Sequence, residues 1–167
     1  AKTVGLADVP VIDLAGTDSP AGRAAVAAAL VKAATEIGFF YVSGHGVSAQ
    51  LCADAMAASR RFFELPEAVK AGITVDRHQR GWMAQGLANL EGSATHDAKD
   101  VFVWGRDVDA DDEQVKAGLP LVHPTQWPDE AAPFLRTGIL PYYRAVMALG
   151  LRTVSYTHLT LPTSCCV

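Results

Sequence analysis

The sequence predicts an α+β protein whose few strands are parts of a larger sheet. Short runs rich in β-branched and aromatic residues alternate with helical patterns along the chain. Three such runs occur, too few to build a stable sheet whose faces the helices could cover. The chain has 167 residues, of which 50% are hydrophobic, so it is long enough to bury one sizeable core.

The first part of the chain predicts strand, helix and strand in turn. Val9–Leu14 has strand composition, and Pro10 places it at a sheet edge or a strand start. Phe39–Val42 is an aromatic, β-branched run typical of a strand. Between these strands the pattern predicts a helix that stops at Gly38, because apolar residues recur at helical spacing at Val26, Leu30, Ala33 and Ile37.

Two more helices are expected next. Ser48 is a suitable cap for the second helix, and Pro66 suits the first position of a short third helix that ends at Gly72. The apolar side of the second helix is expected to pack into the core through Leu51, Cys52, Ala55, Met56, Phe62 and Phe63.

The middle of the chain is less regular, and a long helix follows it. Arg80–Trp82 opens a loop-rich section, and Val101–Trp104 predicts a strand that is covered on both faces. Seven of the seventeen residues in Asp97–Glu113 are acidic, a run that favours a solvated loop over a cation site because it lacks calcium-loop spacing. A helix is predicted over Asp129–Thr153, with Pro141 kinking or splitting it.

The charge balance excludes some classes of partner. Fourteen basic and eighteen acidic residues give a net charge of −4, which offers no basic field for a nucleic acid. No run approaches the roughly 18 to 20 apolar residues of a membrane span, and no leader pattern opens the sequence. We therefore expect a cytoplasmic protein that binds neither nucleic acid nor membrane.

The last fourteen residues differ from the rest of the chain. Residues 154–167 contain no alanine and no charged residue, and they resemble a translation of sequencing-adapter DNA. The predicted organisation is therefore a domain over residues 1–153 and an artefactual tail over residues 154–167. Outside that tail the only cysteine is Cys52, which is expected to be a small core residue, so no disulfide framework is expected.

Six ordered segments carry a resemblance to a known family. They are Val9–Leu14, Ala34–Val47, Phe62–Pro66, Arg80–Trp82, Asp97–Phe102 and Gln126–Asp129. Together they resemble the N-terminal region of the isopenicillin N synthase-like dioxygenases, which use iron(II) and 2-oxoglutarate. The resemblance implies the N-terminal helical and strand portion of a double-stranded β-helix (jelly-roll) oxygenase, with the catalytic jelly roll largely missing. It implies that the full-length parent oxidises a small organic substrate with O2. Gly44, where the family has asparagine, and Pro141 depart from the family pattern.

The residues that the family uses for catalysis are not found. In the family, iron is held by His-x-Asp with a distant second histidine, and an Arg-x-Ser pairs with 2-oxoglutarate. No histidine here has a carboxylate two positions later, and no arginine has serine there. We therefore expect no catalytic, cofactor-binding or metal-binding residue, and a fragment that binds no iron and is inactive alone. The five histidines are assigned to a turn (His45), solvated surface (His78 and His123), a pair of opposed side chains (His96 with Asp97) and the tail (His158).

Arg80 and Trp82 are the predicted substrate-binding residues. In the resembling enzymes an arginine of this segment can meet a substrate carboxylate, and a guanidinium binds a carboxylate in two places at once. The competing interpretation is a surface arginine beside a packing tryptophan. A second hypothesis for the whole chain is a complete small α+β module that binds a ligand or partner through the Arg80–Trp82 loop and has no catalytic activity.

Overall fold

The computed structural model describes residue 5, residues 8–86 and residues 98–158, without the side chains of residues 156–158. The mixed helix and strand class is confirmed. The strands are β1 (Val11–Asp13), β2 (Tyr41–Ser43), β3 (Gly81–Met83) and β4 (Val101–Val103). The helices are α1 (Pro20–Glu36), α2 (Ala49–Phe63), α3 (Glu67–Ala71), α4 (Glu113–Lys116) and α5 (Pro133–His158). These elements divide between two compact units, one of residues 1–48 with 143–167 and one of residues 49–142.

The first unit is a helix packed on a two-stranded parallel sheet. β1 and β2 pair with Ile12 opposite Val42, and α1 covers that face. The hydroxyl of Ser19 caps α1 by accepting from the Gly22 N–H at 3.0 Å. The core contains three of the four apolar residues predicted on the helix face, without Ile37, and three others. It consists of Ile12, Leu14, Val26, Ala27, Leu30 and Ala33.

Both ends of β2 depend on glycine. Gly38 ends the α1 segment with φ +89, a conformation that an L side chain rarely adopts. Gly44 has φ +58, and a Cβ there would meet the Asp13 carboxylate and lie 2.8 Å from the Ala15 nitrogen. The turn after β2 therefore lies so close to the end of β1 that the family's asparagine would not fit without a shift.

The predicted strand bounds in this unit were too wide. Phe39 and Phe40 precede β2, and Phe39 is 73% exposed. Val11 and Tyr41 are paired neighbours on the sheet face that points away from α1, and they are also exposed. An aromatic run thus does not mark a buried strand here, because only one face of the sheet is covered by described residues.

The second unit is built around an aromatic cluster. Its buried residues are Phe62, Trp82, Phe102, Leu135 and Ile139, and the Phe62 and Phe102 rings lie 5.1 Å apart. In α2 the buried line is Ala55, Ala58 and Phe62, at helical spacings of three and four. The prediction that Met56 and Phe63 enter the core was wrong, since both side chains are exposed at the flank of that line.

The strands of the second unit correct two predictions. Gly81–Met83 was expected to be loop, but it forms β3 by antiparallel pairing with β4, where Trp82 lies opposite Phe102. β4 was expected to be covered on both faces. Phe102 is buried, whereas Val101 and Val103 are only half-buried.

The long helix α5 continues through Pro141 and is not split there. Its first part belongs to the second unit, where Leu135, Ile139 and Leu140 are buried. Its later part belongs to the first unit, where Leu149 packs on the core and Arg152 donates to the His45 carbonyl at 2.6 Å. None of the described helices is both long and apolar enough to span a bilayer.

Candidate functional site

The Arg80–Trp82 segment lies where β3 begins, between two backbone pairings. On one side Trp82 pairs with β4. On the other, the Trp82 N–H donates to the Ile73 carbonyl and the Val75 N–H donates to the Trp82 carbonyl, both at 2.7 Å. The segment is therefore fixed at its backbone from both sides, which gives its side chains defined directions.

Arg80 is buried, with 6% of its surface exposed, so the interpretation as a surface arginine was wrong. The terminal nitrogen Nη1 donates to the carbonyls of His78 (3.3 Å) and Gln79 (3.0 Å). The other terminal nitrogen, Nη2, donates to the Leu121 carbonyl. Gly105 lies against the guanidinium so closely that a Cβ there would collide with it. Among the described residues the guanidinium bonds only to neutral carbonyl oxygens, which is costly because burial of a charge normally requires an opposite charge.

The Nε of Arg80 has a further property. It is buried, and no acceptor for it exists among the described residues. Within the part of the chain that the structure describes, this donor is therefore not used. The predicted substrate-binding role of Arg80 stays a prediction, and this spare donor is the feature of the side chain that bears on it.

Trp82 is a core residue whose indole N–H has a polar partner. The side chain is 4% exposed, and its Nε1–H donates to Oδ1 of Asp100. The other oxygen of Asp100 lies 2.9 Å from Lys70 Nζ, which also donates to the Phe63 carbonyl at 3.2 Å. The same ammonium is 5.2 Å from the centre of the Trp82 ring. The substrate-binding role of Trp82 stays a prediction.

Asp100 and Lys70 were missed by sequence reasoning. Asp100 lies in the acidic run that was expected to be solvated, yet it holds a buried ammonium and an indole. The remaining described acids of this run include Asp112, which caps α4 by accepting from the Gln114 N–H at 2.8 Å. The sequence signal that could have identified Asp100 is its position directly before the apolar strand β4. That strand pairs with β3, which contains Trp82.

His78 and His123 were expected to be solvated and without partners, and this was wrong. Their rings stack at 3.9 Å between centroids with planes 8° apart, and both residues are half-buried. His78 Nε2 accepts from Arg77 Nε at 3.1 Å. The stack joins the loop before β3 to the loop after α4, where Arg80 also reaches Leu121.

The other sequence candidates have structural roles or lie outside the description. His45 Nδ1 accepts from the Val47 N–H at 3.0 Å, which confirms a turn residue bonded to backbone. Cys52 is a half-buried free thiol that lines a 210 Å³ cavity with Trp104 and Tyr142. His96 and Asp97 lie outside the described residues, as does the side chain of His158.

The described residues do not fit an iron site. Within residues 8–86 and 98–158, no three histidine, cysteine, aspartate or glutamate side chains come together in a way that could hold a metal ion. Non-haem iron of this class needs two histidines and a carboxylate on one face. The prediction that this chain holds no metal ligand concerns the whole chain and stays a prediction.

The class of protein follows from the fold and from a family match. The chain belongs to the family described as non-haem dioxygenase in morphine synthesis N-terminal, whose model matches residues 9–130. It is 32% identical over 157 residues to the 2-oxoglutarate-dependent dioxygenase caaD of Aspergillus niger, covering 91% of this chain and 48% of that protein. It is also 32% identical over 149 residues to a 2-oxoglutarate-dependent dioxygenase of Didymella fabae, covering 86% of this chain and 45% of the relative.

A solved structure shows the same fold. It is that of a 2OG-Fe(II) oxygenase family protein from Caulobacter crescentus, with a TM-score of 0.75 and 18% identity over 90% of this chain. The match covers 48% of that protein. The chain thus spans about half the length of the curated relatives and of the solved structure that it matches.

Proposed function

We propose that this chain is the N-terminal part of a cytoplasmic dioxygenase that depends on iron(II) and 2-oxoglutarate and oxidises a small organic substrate with O2. The observation that supports it is the family match over residues 9–130, together with relatives named as 2-oxoglutarate-dependent dioxygenases. In this proposal residues 1–153 form the N-terminal domain with the helix that leads to the catalytic domain. Residues 154–167 are a tail that is foreign to the protein.

We propose that this N-terminal part of the protein shapes the substrate site. Its described residues fit no iron site. Arg80 supplies a buried positive charge, and the Lys70–Asp100–Trp82 contacts fix the strand that presents it. We therefore propose that the 167-residue chain is inactive by itself.

The proposal predicts a difference in turnover between the chain and the longer polypeptide. The coding DNA is first read beyond codon 153 in the source genome, and the longer polypeptide is then expressed. With iron(II), O2 and a panel of small organic acids, it is expected to convert 2-oxoglutarate to succinate, while the 167-residue chain stays at the blank rate. Succinate is measured by mass spectrometry, and iron binding by titration.

Two results would contradict the proposal. Stoichiometric, tight iron(II) binding or succinate release by the 167-residue chain would show that the fragment carries a complete site. A native stop codon soon after codon 153, with no 2-oxoglutarate consumption, would favour the complete binding module that lacks catalytic activity.

We further propose that Arg80 binds a carboxylate of the substrate and that Trp82 acts by holding the strand beside it. The support is a buried guanidinium with an unused Nε donor and no described acceptor for it. A carboxylate would supply both the missing acceptor and the opposite charge, and charged hydrogen bonds of this kind are worth about 1.5 to 3 kcal/mol.

Arg80→Lys in the longer polypeptide is expected to lower substrate-driven succinate formation roughly 10- to 100-fold for a carboxylate substrate, because lysine has no Nε–H donor beside a terminal group that is held by backbone carbonyls. The methyl ester of the same compound should react at similar rates with both proteins. Arg77→Lys is the matched control, since Arg77 is exposed and bonds to His78. An unchanged preference for the acid over the ester in the Arg80 variant would refute the assignment.

A further inference from the structure

The inference concerns two loops that meet around the guanidinium of Arg80. The first loop, residues 76–80, precedes β3 and binds Nη1 through two of its own carbonyls. The second loop, residues 119–123, follows α4 and binds Nη2 through the Leu121 carbonyl. Each loop therefore holds one of the two terminal nitrogens of the guanidinium.

Each loop also contains a backbone conformation that is unfavourable for its residue type. Gln79 has φ +58 and Leu121 has φ +60, in the left-handed region that non-glycine residues seldom adopt. Among the described residues these are the two non-glycine positions with positive φ, and each contributes a carbonyl to Arg80. Strained backbone persists where the surrounding contacts determine it, and it is concentrated at functional sites. The two loops are thus shaped around this guanidinium.

The imidazole rings of His78 and His123 link the same two loops. Their centroids lie 3.9 Å apart with the planes 8° from parallel. His78 supplies one of the carbonyls that bind Nη1, and His123 lies two positions after Leu121. The stack therefore sets the spacing between the loops at the place where Arg80 bridges them.

The backbone of Arg80 is held by other contacts. Its N–H donates to Asp76 Oδ1 at 3.1 Å, and its carbonyl accepts from Gln126 Nε2 at 2.7 Å. Loss of the stack would leave these two bonds in place. It would release the 119–123 loop, and with it the Leu121 carbonyl, from the guanidinium. The stack thus acts on the direction of the Arg80 side chain and not on the position of β3.

We infer that the His78–His123 stack is a positioning device for Arg80. Because the two loops take both terminal nitrogens, Nε, which has no acceptor among the described residues, is the donor left for a ligand. The stack thereby fixes which side of the guanidinium a substrate carboxylate meets. This last step rests on the proposed function, in which Arg80 binds that carboxylate.

Exchange of the Arg80 Nε–H with water, followed by NMR in the 167-residue chain, tests the positioning. His123→Ala removes one ring of the stack, whereas His123→Phe keeps a flat ring at that position. The Nε–H is expected to exchange about 10-fold faster in the alanine variant and at the unmodified rate in the phenylalanine variant. Leu119→Ala, at an exposed position of the same loop, is the control and should change nothing.

Two exchange results would overturn the inference. One is an unchanged rate in the His123→Ala variant, and the other is an equal acceleration in the alanine and phenylalanine variants. If His123→Ala does not fold, His78→Ala compared with His78→Phe gives the same test.

Kinetics of the longer polypeptide separate this inference from the proposed function. His123→Ala is expected to raise KM for a carboxylate substrate about 10-fold with kcat nearly unchanged, and His123→Phe should restore KM. KM for the methyl ester should be the same in both variants. If Arg80→Lys abolishes the preference for the acid but His123→Ala leaves KM unchanged, the inference falls and the role of Arg80 stands. If Arg80→Lys keeps that preference while Nε–H exchange still depends on the stack, the role of Arg80 falls and the positioning stands.

Discussion

Asp100→Ala is expected to lower the free energy of unfolding of this chain by about 1 to 3 kcal/mol, the cost of leaving a buried donor without its acceptor, since the Lys70 ammonium is buried but 32% of the Asp100 side chain is exposed. Lys70 is 6% exposed, and its ammonium lies 2.9 Å from the Asp100 carboxylate. The substitution leaves that cation, and the buried Trp82 indole N–H, without the carboxylate. Such a loss is a large part of the stability of an ordinary domain. Urea unfolding followed by circular dichroism measures it.

Glu113→Ala is the control for the loss of an ion pair at the surface. Its carboxylate lies 2.9 Å from Lys116, but both side chains are exposed, so the expected cost is below about 0.5 kcal/mol. Adding Lys70→Met to the Asp100 variant should recover part of the stability, since the uncompensated ammonium is removed. Equal effects of the Asp100 and Glu113 substitutions would show that the Lys70–Asp100 pair contributes no more to stability than an exposed pair does.

Gly81→Ala is expected to cost about 3 kcal/mol or more and to displace β3. Gly81 has φ +117, and a Cβ there would collide with the Ile73 carbonyl and lie 3.1 Å from the Thr74 carbonyl. Both neighbours are backbone, so they cannot move aside as a side chain would. The cost combines a strained φ, worth about 1 to 2 kcal/mol, with overpacking, worth about 1 to 3 kcal/mol. Thermal unfolding of the variant provides the measurement.

Gly72→Ala is the matched control for Gly81. Gly72 ends α3 with φ −64 and ψ −15, and the nearest atom to a new Cβ is the Val69 carbonyl oxygen at 3.6 Å. Alanine adopts this conformation easily, so the change is expected to be neutral or to stabilise by up to about 1 kcal/mol. A tolerated Gly81 variant would mean that β3 can shift without loss, against the packing described here.

Sequence reasoning succeeded where the signal is local. The end of the α1 segment at Gly38, with its positive φ, and the short helix between Pro66 and Gly72 each depend on residues a few positions apart. Phe62 was also placed correctly in the core. Caps, turn glycines and helical spacing act within one or two turns, so a single sequence is enough to show them.

Sequence reasoning failed for features that depend on a contact between residues far apart along the chain. β3 is three residues long and exists through pairing with a strand twenty residues later. The His78–His123 stack depends on two loops that the sequence separates by more than forty positions. For the candidate site, Arg80 and Trp82 were chosen from a resemblance, while their surroundings, including Asp100, required the tertiary structure. Alternation and composition contain no information about such distant partners.

The contact between Arg80 and Leu121 has an evolutionary consequence. The guanidinium reaches a main-chain oxygen, which every residue type carries, so drift in the side chain at that position would leave the bond in place. Leu121 has φ +60, a left-handed backbone conformation that glycine and asparagine adopt at least as readily as leucine. Substitutions at position 121 are therefore expected to change the side chain of this loop while the hydrogen bond from Arg80 to its main chain is kept.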